Sequence, residues 1–334
     1  MHQELKTSRR QLIKAVAVGT ATPGLLLRAG PAAAAFPDKP IRLLHATSAG
    51  GTVDSVARAM AERMGPRLGQ PVVVEIRPGA AGAIAAMAVA RGPKDGHLVF
   101  FGTSSNLGYL KMLDKDLPYD PVNDFTPIAI VGSVSVGIFA SAASGFNNIL
   151  DLIAAAKAKP GELSYASIGQ LSLSHLAMEM LQQRAGIKMI HAPYAGANVN
   201  YWADLIGGRL QLVSTGVSGG LAMAKEGRVK LLAIASRERW RLLPDVPALG
   251  EVFPGLDVPA WFGFAVAAGT PAPIVQKLEE VTLAALHDPS TRQAFTQITV
   301  DIADPIAGSR ETGAKIRADN EMWGKVFKAA GLMA

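Results

Sequence analysis

Five small residues, Thr47-Ser48-Ala49-Gly50-Gly51, connect a short apolar segment to an amphipathic one in a way that could bind an anion. The apolar segment, residues 41–46, predicts a buried strand, and the amphipathic segment predicts a helix from about Thr52. A helix start has unpaired N–H groups and a partial positive charge, and small residues leave these groups accessible to a ligand. The loop lacks the Lys-Ser/Thr ending of a P-loop and the G-x-G-x-x-G of a dinucleotide fold. It therefore favours a carboxylate over a nucleotide, with simple packing of a glycine turn as the alternative.

A second segment, residues 164–172, repeats this order of strand, small polar loop and helix. Its loop contains Ser167 and Gly169, and Ser172 is of a residue type that often caps helix starts. Two such loops facing each other across a cleft could hold one anionic ligand from both sides.

A third segment, Gly216-Val217-Ser218-Gly219-Gly220, matches the G-x-S-x-G pattern of α/β-hydrolases. That chemistry needs an acid and then a histidine downstream, but only His287 follows, and no upstream oxyanion motif is present. A glycine-rich turn between a strand and a helix explains the segment equally well. The chain has no cysteine and its six histidines are scattered, so we expect no cofactor and no metal.

The N-terminal residues have the properties of an export signal. Ser8-Arg9-Arg10-Gln11-Leu12-Ile13-Lys14 fits the twin-arginine pattern, an interrupted apolar stretch follows, and residues 32–35 are all alanine. We therefore predict a signal peptide over residues 1–35 and a periplasmic location. The leader holds five of the 33 basic residues and one of the 27 acidic residues, so the rest of the chain has a net charge of +2 rather than +6. This charge gives no support for nucleic-acid binding.

Short apolar segments alternate with amphipathic segments along the rest of the chain. This order predicts an α/β fold with mainly parallel sheets. The predicted helices include residues 198–206 and a C-terminal helix at residues 309–330. About 300 residues follow the leader, which is enough for two domains.

Several short segments, spread from residue 36 to the last helix, match the pattern of one family. They are Phe36-Pro37-Asp38-Lys39-Pro40, Gly50-Gly51-Thr52-Val53-Asp54, Arg77-Pro78-Gly79-Ala80, Leu117-Pro118-Tyr119-Asp120-Pro121, Pro193-Tyr194-Ala195-Gly196, Leu243-Pro244-Asp245-Val246-Pro247, Trp261-Phe262-Gly263 and Ala268-Gly269-Thr270-Pro271. On these segments the chain resembles the Bug family of periplasmic solute receptors, the extracytoplasmic component of tripartite tricarboxylate transporters.

The resemblance implies an α/β, two-lobed type II periplasmic binding protein fold with the ligand in a cleft between the lobes. Lobe 1 is expected to comprise residues 36–137 and 259–334, and lobe 2 residues 138–258. The C-terminal helix is expected to pack back on lobe 1.

The resemblance also implies a set of ligand-binding residues. Asp54 is expected to support the first loop or to accept a hydrogen bond at the cleft, rather than to act as a catalytic base. Leu171 stands where the family usually has glycine, and its side chain is expected either in the cleft or in the lobe interior. The expected contacts are Thr47, Ser48, Ala49, Gly50, Gly51, Thr52, Asp54, Thr103, Ser104, Ser167, Gly169, Leu171, Ser172, Tyr194, Ala195 and Gly196.

The function implied is capture of a small carboxylate, either a di- or tricarboxylate or an aromatic one, and its delivery to the transporter's membrane subunits. The chain is expected to act as a monomer, without a cofactor and without enzymatic activity. Two alternatives remain: a receptor that docks on a sensor kinase of a two-component system, and an exported α/β hydrolase that uses Ser218.

Overall fold

Two five-stranded sheets organise the chain. A computed structural model describes residues 36–47, 49–194 and 201–333. None of the helices in these ranges combines the length and the apolar character of a membrane span. The predicted signal peptide, residues 1–35, lies outside the described residues.

The first sheet has the strand order β2-β1-β3-β10-β4. β1, β2 and β3 run parallel, whereas β10 runs antiparallel to both β3 and β4. The strands are β1 (Ile41–His45), β2 (Val72–Ile76), β3 (Leu98–Thr103), β4 (Phe125–Val134) and β10 (Ala260–Ala267).

The second sheet has the order β7-β6-β8-β5-β9, in which β6 is parallel to β7 and β8. β5 runs antiparallel to β8 and β9. The strands are β5 (Val136–Ser141), β6 (Ser164–Ser167), β7 (Ile190–Pro193), β8 (Leu212–Gly216) and β9 (Val229–Ile234).

Each sheet is mixed but mainly parallel, as expected, because four of its five strands point the same way and one is antiparallel. Only Ser135 separates β4 of the first sheet from β5 of the second, and β10 returns the chain to the first sheet. These two strands that enter from the other sheet, β5 and β10, are the antiparallel ones. The predicted lobe boundaries stay a prediction; the sheets depart from them only at Val136 and Gly137, which pair within the second sheet.

Eleven α-helices occur in the described residues, and all but α8 and α10 overlap segments that the sequence predicts to be helical. They are α1 (Thr52–Leu68), α2 (Ala83–Ala90), α3 (Leu110–Leu113), α4 (Ile149–Ala158), α5 (Leu173–Ala185), α6 (Tyr201–Ile206), α7 (Leu221–Lys225), α8 (Leu249–Val252), α9 (Ala272–His287), α10 (Pro289–Gln297) and α11 (Ser309–Ala330). In α1 the buried residues Val56, Met60 and Met64 form the stripe that packs against the first sheet. The predicted helix at 198–206 is described only from Tyr201 onward.

The C-terminal helix α11 packs on the side of the first sheet, in line with the expectation, and it also contacts the core of the second sheet. Ile316 belongs to an apolar cluster of the first sheet, whereas Trp323 and Phe327 lie in the cluster built mainly from the second sheet. The rings of Trp323 and Phe327 stack at 5.2 Å, and Tyr109 lies against both. A helix of 22 residues is about 33 Å long, which lets one helix contact both cores.

Candidate functional site

Two adjoining cavities share Thr52 and Ser218 and together form a cleft. Thr52 is the first residue of α1, which follows strand β1 of the first sheet. Ser218 lies in the turn after β8 of the second sheet. The cleft therefore opens where a strand of each sheet ends and a helix begins.

The larger, outer cavity has a volume of about 550 Å³. Lys225, the last residue of α7, is the only charged residue among the described residues that line it. Its lining is Gly50, Gly51, Thr52, Ser55, Ser218, Gly219, Leu221, Ala222, Lys225, Gln297, Ile298 and Thr299.

The smaller, inner cavity has a volume of about 140 Å³ and is mostly apolar. It lies against the two strands that connect the sheets, because Val134 ends β4 and Ala260 begins β10. Its lining is Thr52, Val53, Thr103, Val134, Leu173, Gly216, Ser218, Ala260, Trp261 and Phe262.

The side chain of Asp54 stabilises the first loop, residues 47–51, through hydrogen bonds. Asp54 is 3% exposed, and its carboxylate accepts hydrogen bonds from the Gly50 N–H at 2.9 Å and from Arg58 Nε at 3.1 Å. Its second oxygen is 3.2 Å from Nε2 of the fully buried His45, whose Nδ1 is 3.0 Å from the Thr47 hydroxyl. Asp54 therefore has three partners within the protein and supports the loop.

These contacts determine the protonation states of Asp54 and His45. Burial alone would raise the pKa of Asp54, but the hydrogen bonds from Arg58, Gly50 and His45 together lower it below its usual range. Burial lowers the pKa of His45, although Asp54 acts in the opposite direction. At neutral pH Asp54 is thus charged and His45 neutral, so Nε2–H of His45 donates to Asp54 and Nδ1 accepts from Thr47.

The loop leaves the start of α1 accessible. Ala49 and Gly50 are exposed, and Gly50 has a left-handed φ of +76°. The residue that caps α1 is Gly51, which has no side chain to bond to the first N–H groups.

The second loop, residues 167–172, differs from the expectation at Ser167. Ser172 caps α5 as predicted, because its hydroxyl accepts the N–H of His175 at 3.3 Å. Ser167, expected to face the ligand, is instead fully buried. Its hydroxyl lies 2.7 Å from Nε2 of His191 on the neighbouring strand β7 and 3.0 Å from the Gly169 carbonyl, and these contacts turn it under the loop.

The side chain of Leu171 points into the apolar core beside the second sheet. Its side chain packs against the apolar cluster that contains Leu176 and Tyr165. Its backbone has a φ of +58°, a region that glycine adopts freely and leucine does not. This conformation gives a physical reason why glycine suits the position.

The remaining expected contacts have four different outcomes. Thr103 lines the inner cavity, and its hydroxyl donates to Asn106 Oδ1 at 2.9 Å. Ser104 is buried, and its hydroxyl has no hydrogen-bond partner among the described residues. The hydroxyl of Tyr194 donates to Asp204, which directs this ring toward α6. Ser48, Ala195 and Gly196 lie outside the described residues.

Several cleft residues were not predicted. The turn after β8 supplies Gly216, Ser218 and Gly219, and its glycine-rich sequence was the available signal. Trp261 and Phe262 line the inner cavity from β10. Trp202 lies in neither lining; its ring packs edge-on against Phe139 at 5.3 Å.

The arrangement around Ser218 does not support a nucleophile. Ser218 is exposed in a short turn, and no histidine in residues 36–47, 49–194 and 201–333 hydrogen-bonds to it. His287 instead contacts the Leu283 carbonyl at 2.8 Å on α9. In the same ranges, no group of three His, Cys, Asp or Glu side chains could hold a metal ion.

Comparison with known proteins identifies the family to which this fold belongs. Residues 56–332 match the sequence profile described as tripartite tricarboxylate transporter family receptor. A UPF0065 protein of Bordetella bronchiseptica is 36% identical over 313 residues, which are 93% of this chain and 92% of that protein.

Two solved structures extend the likeness. The periplasmic binding protein BugD has a TM-score of 0.77 at 32% identity, with 89% of this chain and 99% of that chain covered. The R. palustris protein Rpa4515 with adipate has a TM-score of 0.79 at 29% identity, with 89% and 98% covered. These matches confirm the predicted two-lobed α/β fold and the resemblance to Bug proteins. The chain belongs to the family of tripartite tricarboxylate transporter receptors.

Proposed function

We propose that this chain is a periplasmic receptor that binds a small dicarboxylate in the cleft and delivers it to the membrane subunits of a tripartite tricarboxylate transporter. The observation that carries the proposal is the cleft itself. It is lined by a helix start without a side-chain cap, and its only charged lining residue, among those described, is a lysine.

The start of α1 suits one carboxylate. Uncapped N–H groups and the helix dipole favour an anion there, and Gly50 and Gly51 leave room for close approach. Charge-assisted hydrogen bonds contribute about 1.5–3 kcal/mol each. Micromolar affinity corresponds to about 8 kcal/mol, so a few such bonds from two carboxylates are sufficient without a metal.

The cavities also indicate the rest of the ligand. Val53, Leu173 and Phe262 give the inner cavity an apolar wall, whereas Lys225 gives the outer cavity a positive charge. A ligand with two carboxylates and a short hydrocarbon body matches both. Adipate, with which the structure of the R. palustris relative Rpa4515 was solved, has two carboxylates and a hydrocarbon body of this kind.

A thermal-shift panel tests the ligand class. We expect adipate to raise the melting temperature more than malate, because its longer hydrocarbon body fills the apolar inner cavity. We expect benzoate, which has one carboxylate, to give the smallest shift. Equal shifts from benzoate and adipate would contradict a site for two carboxylates.

Substituting Ser218 tests whether the cleft is the site. Ser218→Phe places a ring where the two cavities meet, so we expect no melting-temperature shift with adipate. Because Ser218 is exposed, the ligand-free stability should change by only about 0.5 kcal/mol.

Ala154→Phe is the matched control, since Ala154 is exposed on α4 and lines neither cavity. Its ligand-induced shift should equal that of the wild type. A full shift in Ser218→Phe would place the ligand elsewhere.

Delivery to a transporter is tested in cells. Deleting the gene should reduce uptake of the labelled ligand that gives the largest thermal shift, and a copy with Arg9 and Arg10 changed to lysine should not restore it if export uses the twin-arginine route. Unchanged uptake together with a lost transcriptional response to that ligand would instead indicate a signalling receptor.

A further inference from the structure

Two histidine rings lie stacked beneath the second loop. The rings of His175 on α5 and His191 on β7 are 4.1 Å apart and 15° from parallel. Tyr165 on β6 stacks on His191 at 5.0 Å. His175 is 4% exposed, so its contacts with the loop are shielded from water.

Each ring contacts the loop through one nitrogen. Nδ1 of His175 accepts the N–H of Leu171 at 3.1 Å, and Nε2 of His191 is 2.7 Å from the Ser167 hydroxyl. Because Nδ1 of His175 is an acceptor, this ring is neutral and carries its proton on Nε2. That nitrogen points toward Oε1 of Glu179 at 3.6 Å.

The contact at Leu171 stabilises a conformation that leucine does not readily adopt. Its φ of +58° brings the side chain close to the backbone, which costs energy for any residue with a Cβ. The hydrogen bond from its N–H to His175 offsets this cost and fixes the loop between Gly169 and the start of α5.

We propose that neutral His175 positions the second loop and, through it, Leu173 at the start of α5, which lines the inner cavity, and that ligand affinity falls when His175 takes up a proton. The proposal rests on the function proposed above. A proton on Nδ1 turns the acceptor into a donor that faces the Leu171 N–H, so the hydrogen bond is lost and Leu171 is free to leave its left-handed conformation.

The surrounding groups set the direction of the pH dependence. Burial lowers the pKa of His175, and Glu179 on the same helix acts in the opposite direction. His191 on β7 is the other titratable ring, and burial together with His175 lowers its pKa to about 4. From β6, the Tyr165 hydroxyl contacts Glu179 at 2.8 Å. Affinity is therefore full near neutral pH and declines as the pH falls below the ordinary histidine range.

The matched variants are His175→Asn and His287→Asn. The side-chain oxygen of asparagine lies close to the position of Nδ1 and can accept the Leu171 N–H, but it does not titrate. His287 is exposed on α9, far along the chain from the loop, and serves as the control. The dissociation constant for adipate is measured by calorimetry at about pH 7.5 and about pH 5.

We expect the wild type and His287→Asn to lose about threefold more affinity than His175→Asn over this range. Protonation of adipate itself is common to all three proteins and cancels in the comparison. Equal losses in the wild type and in His175→Asn would overturn the proposal.

A measurement without ligand separates this proposal from the proposed function. The amide resonance of Leu171 should shift on acidification with the same midpoint as the ring protons of His175, and it should not shift in this way in His175→Asn. This result supports the coupling even if adipate does not bind. A Leu171 amide resonance that does not shift as His175 titrates would overturn the proposal.

A double variant tests the backbone argument. His175→Ala should weaken adipate binding about tenfold at neutral pH, and adding Leu171→Gly should restore most of it, because glycine adopts a φ of +58° without the hydrogen bond. Failure of Leu171→Gly to restore binding would contradict the role assigned to His175.

Discussion

Replacing Asp54 by alanine is expected to lower the free energy of unfolding by about 3 kcal/mol and to weaken carboxylate binding at least about tenfold. The carboxylate is buried and accepts hydrogen bonds from Gly50, Arg58 and His45. Its removal leaves the His45 and Gly50 N–H groups without an acceptor and releases the loop before α1. Urea unfolding and calorimetry measure the two effects.

Arg58→Ala is the matched control, because the Arg58 side chain is 59% exposed and contacts Asp54 only from outside. It should cost at most about 1 kcal/mol, and Asp54→Asn should fall between the two variants. The pKa of Asp54 is lowered in the folded protein, so its contribution is fully present above its unfolded pKa and is lost as the pH falls through the folded value. An affinity in Asp54→Ala equal to that of Arg58→Ala would show that the loop does not need this support.

The features that could be predicted from the sequence are local ones. The strand before the first loop, the glycines in it and the helix after it are contiguous, so their residue types determine the turn without reference to the rest of the chain. Ser172 as a helix cap is a similar case. Recognition of the family then supplied the two-lobed arrangement that no local pattern contains.

The features that could not be predicted depend on residues far apart in the sequence. Ser167 is turned away from the expected ligand by His191, 24 residues later, and only the pairing of β6 with β7 brings the two together. The sequence predicted the C-terminal helix, but not that its Trp323 would reach the second core. Residues 297–299 enter the cleft through the same kind of distant contact.

Two helices, α8 and α10, were not predicted, although the signals of α10 are in the sequence. α10 begins after Asp288, whose carboxylate accepts the Ser290 N–H at 2.9 Å, and Pro289 occupies its first turn. These are the residue types that start helices. The omission matters for the site, because the end of α10 lines the outer cavity through Gln297.

Gly263 of the Trp261-Phe262-Gly263 motif lies where the structure leaves no room for a side chain. A Cβ at Gly263 would lie 2.6 Å from the carbonyl oxygen of Ala129 on β4. The pairing of β10 with β4 shifts register between Phe262 and Gly263, and this irregularity brings the two backbones close. The obstacle is the backbone of the neighbouring strand β4, which cannot move aside without disturbing its pairing with β10.

We therefore expect Gly263→Ala to lower the free energy of unfolding by about 3 kcal/mol, measured by urea unfolding, and to weaken ligand binding as well, since Trp261 and Phe262 line the inner cavity. Gly313→Ala on α11 is the matched control. The same methyl group there meets only side-chain atoms, the nearest at 3.6 Å, and alanine is favoured over glycine in a helix by about 1 kcal/mol. The change in the free energy of unfolding should therefore have opposite signs in Gly263→Ala and Gly313→Ala. A Gly263→Ala protein as stable as the wild type would show that the irregularity in β10 can be removed, and the glycine would then need another explanation.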